Sequence, residues 1–203
     1  KISAKKAAEE SKVPIIDGSD FIIHDADTAS KVADEIGYPV MLKASNGGGG
    51  RGMRIVKSPE EMEEAFEKSR NESKLFIEKY LIHPKHIEVQ ILGDNYGNIV
   101  HLYDRDCSLQ RRNQKVIEFA PAWSISDETR KKILDSAKRL ARRVGYTNVG
   151  TMEFLVDEEE RPYFIEMNPR IQVEHTETVE QGVLVEGVLH VSFLYVTSDD
   201  EIP

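Results

Sequence analysis

The chain has 203 residues, 39% of them hydrophobic, and a formal net charge of −9; it is long enough for one large domain or two small packed ones and needs no stabilising cross-links. An acidic balance argues against nucleic acid as a partner, since affinity for a phosphate backbone comes mainly from excess Lys and Arg. One cysteine, Cys107, leaves no intramolecular disulfide to form, and with no signal-peptide pattern the reading is a reducing, cytoplasmic compartment. In chain order, Ala4, Ala7 and Ala8 recur at helical spacing over residues 3–12, and Val13-Pro14 ends that helix because the residue before proline disfavours the α region. A second helix is predicted over 28–36, with Asp27 as N-cap, Val32, Ala33 and Ile36 on one face and Gly37 as the stop. Val40-Met41-Leu42 and Met53-Arg54-Ile55-Val56 read as strands flanking the glycine-rich stretch 46–52. Ser58-Pro59-Glu60-Glu61 then supplies a capping serine, a first-turn proline and a glutamate that open a helix to about Arg70.

These two strands and two helices form a small α+β unit, residues 17–77. The remainder starts at Leu75-Phe76-Ile77 and continues with strands near 87–92 and 99–103, joined by turn residues 94–98. A helix over 127–144 sets Ile133, Leu134, Ala137, Leu140, Ala141 and Val144 on one side and stops at Gly145. Strands at 151–156 and 163–168 follow, joined by the charged turn 157–162. Residues 183–196 are the longest apolar stretch, but Glu186, Gly187 and His190 break it and it is too short to cross a bilayer, so no membrane association is expected. Opening at Lys1 inside a helical pattern and stopping at Pro203 without a terminal element, the chain reads as a fragment of something longer.

Gly47 to Gly52 satisfies G-x-G-x-x-G, but the dinucleotide fingerprint requires a helix directly after the glycines and here a strand follows. No lysine and Ser/Thr pair closes the loop, so it is not a Walker motif either. What remains is a glycine hairpin whose amides can approach phosphate oxygens, with Lys43 upstream to add a positive charge. A plain surface turn is the alternative, yet it needs only one or two glycines.

Residues two apart in an extended segment share a face. From Glu166 that face reads Glu166, Asn168, Arg170, Gln172 and Glu174, while Met167, Pro169, Ile171 and Val173 lie on the other. If the turn 157–162 closes symmetrically, Glu153 stands opposite Glu166. Two carboxylates about 4 Å apart repel by roughly 4 kcal/mol at an effective dielectric near 20, so a cation or a shared proton must offset them. Glu153, Glu166 and Asn168 offer only oxygens to a metal, which suits Mg²⁺ or Mn²⁺. An amphipathic strand with a solvated polar side is the alternative; Arg170 and Glu174 favour the first reading, as an anion binder and a potential base.

Taken together, Lys43-Ala44-Ser45, Glu78-Lys79-Tyr80-Leu81, Arg105-Asp106-Cys107-Ser108, Gln110-Arg111-Arg112-Asn113-Gln114-Lys115 and Glu166-Met167-Asn168-Pro169-Arg170-Ile171-Gln172-Val173-Glu174-His175 closely resemble the biotin carboxylase component of biotin-dependent carboxylases. Val100-His101-Leu102-Tyr103 and Ile117-Glu118 look most like the bacterial pyruvate carboxylases within that family. The resemblance implies an α+β ATP-grasp fold: a linker helix at 1–16, a lid subdomain at 17–77 and a truncated central antiparallel sheet subdomain at 78–203. It implies that Lys1 and Lys43 contact the ATP phosphates, that Gly49 and Gly50 cover them, and that Glu78, Lys79, Tyr80 and Leu81 line the adenine pocket. His86 and Gln110 fall near the ribose, Leu155 against the base and Asn113, where many relatives have histidine, close to the nucleotide. The family's metal positions map to Glu153, Glu166 and Asn168, in agreement with the spacing argument.

Family bicarbonate contacts map to Lys115, Arg170, Gln172 and Val173. Glu174 takes the place of the base that deprotonates bicarbonate, and Arg170 also that of the group that stabilises the enolate-like biotin. Lys115, Arg170 and Glu174 are thus the implied catalytic residues. The implied cofactors are ATP, Mg²⁺ or Mn²⁺, and biotin on a separate carrier; the implied partners are that carrier, a carboxyltransferase and further copies of the parent enzyme. Carbamoyl-phosphate synthetase, which activates the same bicarbonate, and a non-catalytic nucleotide-binding domain are the alternatives. Arg111 and Arg112 read as surface or inter-subunit salt-bridge residues, Cys107 as a buried small hydrophobe and His175 as structural.

Overall fold

The computed structural model describes residues 2–44, 52–69, 74–112 and 114–169, together with a two-stranded backbone pairing of Thr178–Val179 with Gly182–Val183. Helix α1 (Ile2–Glu10) packs Ala4, Ala7 and Ala8 against the larger of two cores. Beyond it lies a three-stranded antiparallel sheet in the order β2 (Met53–Val56), β1 (Val40–Ala44), β3 (Leu75–Lys79). Helices α2 (Ala26–Ile36) and α3 (Met62–Ser69) cover one face, where Ala29, Ala33, Met62 and Phe66 meet Val40, Leu42, Val56 and Ile77. Full burial of each large aliphatic side chain here contributes about 1.5–3 kcal/mol.

Three local expectations change. The α2 cap is Asp25, not Asp27: its carboxylate accepts from the Thr28 amide at 2.7 Å, and Asp27 falls in the first turn, where its charge favours the helix dipole. Ser58 makes no capping bond; a 3₁₀ turn (Pro59–Glu61) precedes α3, and Glu61 instead accepts from the Lys57 amide at 2.9 Å. Strand β3, read from sequence as the start of the larger part, pairs with β1 throughout, so Glu78 and Lys79 belong to the smaller sheet.

Among the described residues the second sheet has five antiparallel strands in the order β6 (Gln114–Phe119), β5 (Ile99–Arg111), β4 (Lys85–Gly93), β7 (Asn148–Val156), β8 (Pro162–Asn168). Helix α4 (Asp127–Arg143) lies on one face, with Ile133, Ala137, Leu140 and Ala141 against Ile87, Val89, Met152 and Phe154. Val144, expected on that apolar side, is 48% exposed because the helix has already ended. Strand β6 escapes sequence reading: among the described residues it lies at the edge of the sheet with Val116, Ile117 and Phe119 exposed, and its register against β5 shifts twice, so it has no period of two.

Residues 13–23 join the two sheets. Ile15 bridges Phe164 on β8, and Gly18 and Ile23 bridge Glu78 and Leu75 on β3. A Cβ at Gly18 would lie 2.3 Å from the Ile77 carbonyl oxygen, so only glycine permits this approach.

The β7–β8 turn is tied to the start of α4 by Glu160, which accepts from the Ser126 amide at 3.0 Å and from Lys85 at 3.2 Å. Hydrogen bonds from Ser126, above all, pull this carboxyl from 4.5 down to about 2. A carboxyl depressed by folding stabilises fully above its unfolded value and loses that contribution as pH falls to the folded one. Glu160→Gln should therefore lower the melting temperature at neutral pH, with the gap from the parent closing between pH 4.5 and 2; circular dichroism melts across that window check it.

Candidate functional site

Four strands of the larger sheet place one charged residue each in a single row. Glu88 on β4 stands opposite Arg105 on β5 and opposite Glu153 on β7, and Glu153 stands opposite Glu166 on β8. Directly opposed residues share a face, so the row lies on the side of the sheet away from α4. The pairing of Glu153 with Glu166 does not arise from a symmetric turn. Val156 pairs with Pro162 and Phe154 with Phe164, a register that would bring Ile165 to Glu153; a bulge at Ile165 restores Glu166. That extra residue also lets Phe164 point into the core while Glu166, two residues on, joins the polar face.

Glu88 is fully buried and Glu153 6% exposed, so their charges require partners. Arg105 contacts Glu88 and forms an ion pair with Glu118 at 2.9 Å. Lys115 contacts Glu88 and lies 3.7 Å from Glu153. His86 Nε2 is 2.9 Å from Glu153 and 3.4 Å from Glu88. Asn168 Nδ2 donates to Glu153 Oε1 at 2.7 Å. The protein's own cations thus meet much of the repulsion that the spacing argument assigned to a metal.

Burial disfavours a charged His86, but the Glu153 and Glu88 carboxylates beside its Nε2 prevail and raise its pKa to about 9. Gln110 opposes this: its amide donates to the Cys107 carbonyl at 2.9 Å and stands 2.8 Å from His86 Nδ1, so a full imidazolium requires the amide to turn its oxygen to the ring. Leu155 stands directly opposite His86 across β4 and β7. Cys107 is buried, and burial together with Glu88 and Glu118 pushes its thiol pKa far up, which leaves it unreactive. Arg111 and Arg112 are exposed, as expected.

The smaller sheet carries a second charged group. Lys43 contacts Glu78 Oε2, and Lys5 of α1 pairs with Oε1 at 2.8 Å. Burial raises the Glu78 pKa, but the two lysines outweigh it and hold the carboxyl below its ordinary value. The Lys79 ammonium donates to the carbonyls of Gly37 at 2.8 Å and Tyr38 at 3.1 Å. The Tyr80 amide donates to Pro39, and residues 80–84, which include half-buried Leu81, link β3 to β4.

The structure thus joins Lys43 with Glu78, His86 with Gln110, and Lys115, Glu153, Glu166 and Asn168 around one row. Lys1, Gly49, Gly50, Asn113, Arg170, Gln172, Val173, Glu174 and His175 lie outside the described residues. No role was read from the sequence for Lys5, Glu88, Arg105 or Glu118. Glu88 had a signal: His86, Glu88 and Gln90 alternate with Ile87, Val89 and Ile91, the same period of two that marked Glu166 and Asn168.

A small α+β sheet unit whose first two strands flank a glycine-rich stretch of sequence, beside an antiparallel sheet with a carboxylate row on one face, defines an ATP-grasp domain. The chain belongs to the family described as the carbamoyl-phosphate synthase L chain, ATP binding domain, which matches residues 1–183. It is 51% identical to the pyruvate carboxylase of Pichia angusta over 187 residues, covering 89% of this chain and 16% of that protein. The biotin carboxylase of Campylobacter jejuni, solved as a complex with β-γ-ATP, superposes with a TM-score of 0.84 at 42% identity, over 94% of this chain and 45% of that one. The biotin carboxylase domain of Hydrogenobacter thermophilus 2-oxoglutarate carboxylase, solved as a dimer with MgADP, ADP and bicarbonate, gives 0.82 at 49% identity, over 86% and 40%. The chain therefore spans about a sixth of the length of such curated relatives. No helix among the described residues is long and apolar enough to cross a membrane.

Proposed function

We propose that this chain is the ATP-grasp portion of a biotin carboxylase, which in its parent protein uses MgATP and bicarbonate to carboxylate biotin on a carrier. The observation that carries the reading is the row Glu88, Glu153 and Glu166, with Asn168 bonded to Glu153 and Lys115 set between Glu88 and Glu153. Nucleotide and bicarbonate in the Hydrogenobacter neighbour support it. We divide the chain into a linker helix at 1–16, a lid at 17–77 and a central sheet part at 78–203; the pairing of β3 with β1 supports extending the lid to Lys79.

Opposed carboxylates with an amide beside them are an all-oxygen donor set, which fits a hard divalent cation. Glu153, Glu166 and Asn168 would hold Mg²⁺ or Mn²⁺, and such an ion supplies charge neutralisation on the triphosphate. Bicarbonate must attack the γ-phosphorus, and both are anions, so catalysis here consists mainly of positioning and charge compensation. In this reading Lys1 and Lys43 bind the phosphates, Gly49 and Gly50 cover them, and Glu78 to Leu81 with Leu155 enclose the base. His86 and Gln110 orient the ribose, with Asn113 nearby. Lys115, Arg170, Gln172 and Val173 hold bicarbonate while Glu174 removes its proton.

The carboxyphosphate formed would release CO₂ and phosphate, and the covering glycines would exclude water that destroys it. A biotinylated carrier, a carboxyltransferase, assembly with further copies and a cytoplasmic location complete the proposal. The test is ADP release by the full-length parent protein. It should require bicarbonate and Mg²⁺ and increase when biotin or the biotinylated carrier is added. Release that responds to ammonium and ignores biotin would move the chain to the carbamoyl-phosphate branch of its family and overturn the reading.

A further inference from the structure

Helix α1 carries a lysine where its alanines pack. The Lys5 side chain is 10% exposed, and its ammonium pairs with Glu78 Oε1 at 2.8 Å and donates to the Ile16 carbonyl at 3.1 Å. Burying an ammonium is costly unless it is paired, and an apolar residue would fill the same space. Glu78 is 5% exposed, and its other oxygen contacts Lys43. One carboxylate is thus shared by two lysines, and the three side chains carry a net positive charge. Without Lys5 the pair Glu78 and Lys43 would be neutral. Glu78 would then compete undivided with any anion for Lys43, and losing Lys43 would strand a buried carboxylate.

We propose that Lys5 is a positioning residue of the nucleotide site: by holding Glu78 Oε1, it lets Lys43 leave Oε2 for a phosphate oxygen without abandoning a buried charge. This rests on the reading of Lys43 as a phosphate ligand. Lys5 does not touch nucleotide; it acts through Glu78. Deleting its charge therefore weakens ATP binding and leaves the later steps alone.

The experiment compares Lys5→Gln and Lys5→Arg in the full-length parent protein. Glutamine keeps a donor for Ile16 and removes the charge. The KM for ATP should rise on the order of tenfold, the scale of one partly buried charge acting at short range. The kcat of ADP release and the KM for bicarbonate should stay within about twofold, since a uniform binding loss spares kcat, and Lys5→Arg should restore the KM for ATP. A KM for ATP in Lys5→Gln equal to the parent's, even with a lower melting temperature, would overturn the inference. So would recovery of Lys5→Gln only as unfolded protein, which would make Lys5 a tie of the fold alone. Calorimetric MgATP affinity separates this from the reaction assignment: a parent that binds MgATP but ignores biotin sinks that assignment, while the Lys5→Gln affinity still decides the role of Lys5.

Discussion

Arg105→Met should destabilise the protein by about 3–5 kcal/mol, the usual result of stripping one partner from a buried ionic group. Against a typical total of about 5–15 kcal/mol this is a large fraction, and melting should fall by roughly 10 °C. Arg105 and Glu88 are both fully buried, and Arg105 also holds Glu118 at 2.9 Å. Methionine fills the space but leaves two carboxylates with less compensation. The loss should depend on pH in a stated direction. Burial raises the Glu88 pKa, but His86, Lys115 and Arg105 outweigh it and hold the carboxyl well below 4.5. Its contribution is present above that value and lost as pH falls below it. The gap between parent and Arg105→Met should therefore narrow on acidification, because protonated carboxyls no longer need the guanidinium. Thermal unfolding at neutral and acid pH measures both effects; a gap that widens in acid would contradict the assigned charge balance.

Glu153→Gln should have the opposite profile, a large effect on activity and a small one on stability. Glu153 sits between two like charges, Glu88 and Glu166, and near the His86 ring at 2.9 Å and the Lys115 ammonium at 3.7 Å. Removing its charge loses attraction and repulsion together, so the melting temperature should move by only a few degrees. Under the proposed function it supplies a carboxylate oxygen to the divalent cation. ADP release should then fall by about 10²–10³-fold, comparable to losing one preorganised electrostatic group, and more Mg²⁺ should be needed for half-maximal rate. Steady-state assays at varied Mg²⁺ beside a melting curve check this. Near-normal ADP release with an unchanged Mg²⁺ requirement would remove Glu153 from the ligand set.

How much of this was legible follows from the range of each signal. The apolar stripe of α4 was readable because helical burial repeats every three to four residues, and Ile133, Ala137, Leu140 and Ala141 are all buried. Strand β6 was not, because two register shifts against β5 and an exposed apolar edge erase its alternation. Asp27 looked like a cap by composition, yet a shift of helix start by two residues gives that role to Asp25. Lys5 looked like one more polar residue of an amphipathic helix, and nothing nearby in sequence announces its partner on β3.

The sequence by itself determined the sheet faces: the alternation at Glu166 and Asn168, and equally at His86, Glu88 and Gln90, follows from the period of a strand and needs no knowledge of neighbours. Only the tertiary structure decided which charges meet. Register between strands distant in sequence set Arg105, Glu88, Glu153 and Glu166 in one row. A single inserted residue, Ile165, brought Glu166 to Glu153 while Phe164 stayed in the core. Local periodicity tells which side of a strand is polar, but compensation among buried charges is a property of pairs, and pairs exist only once the sheet has closed.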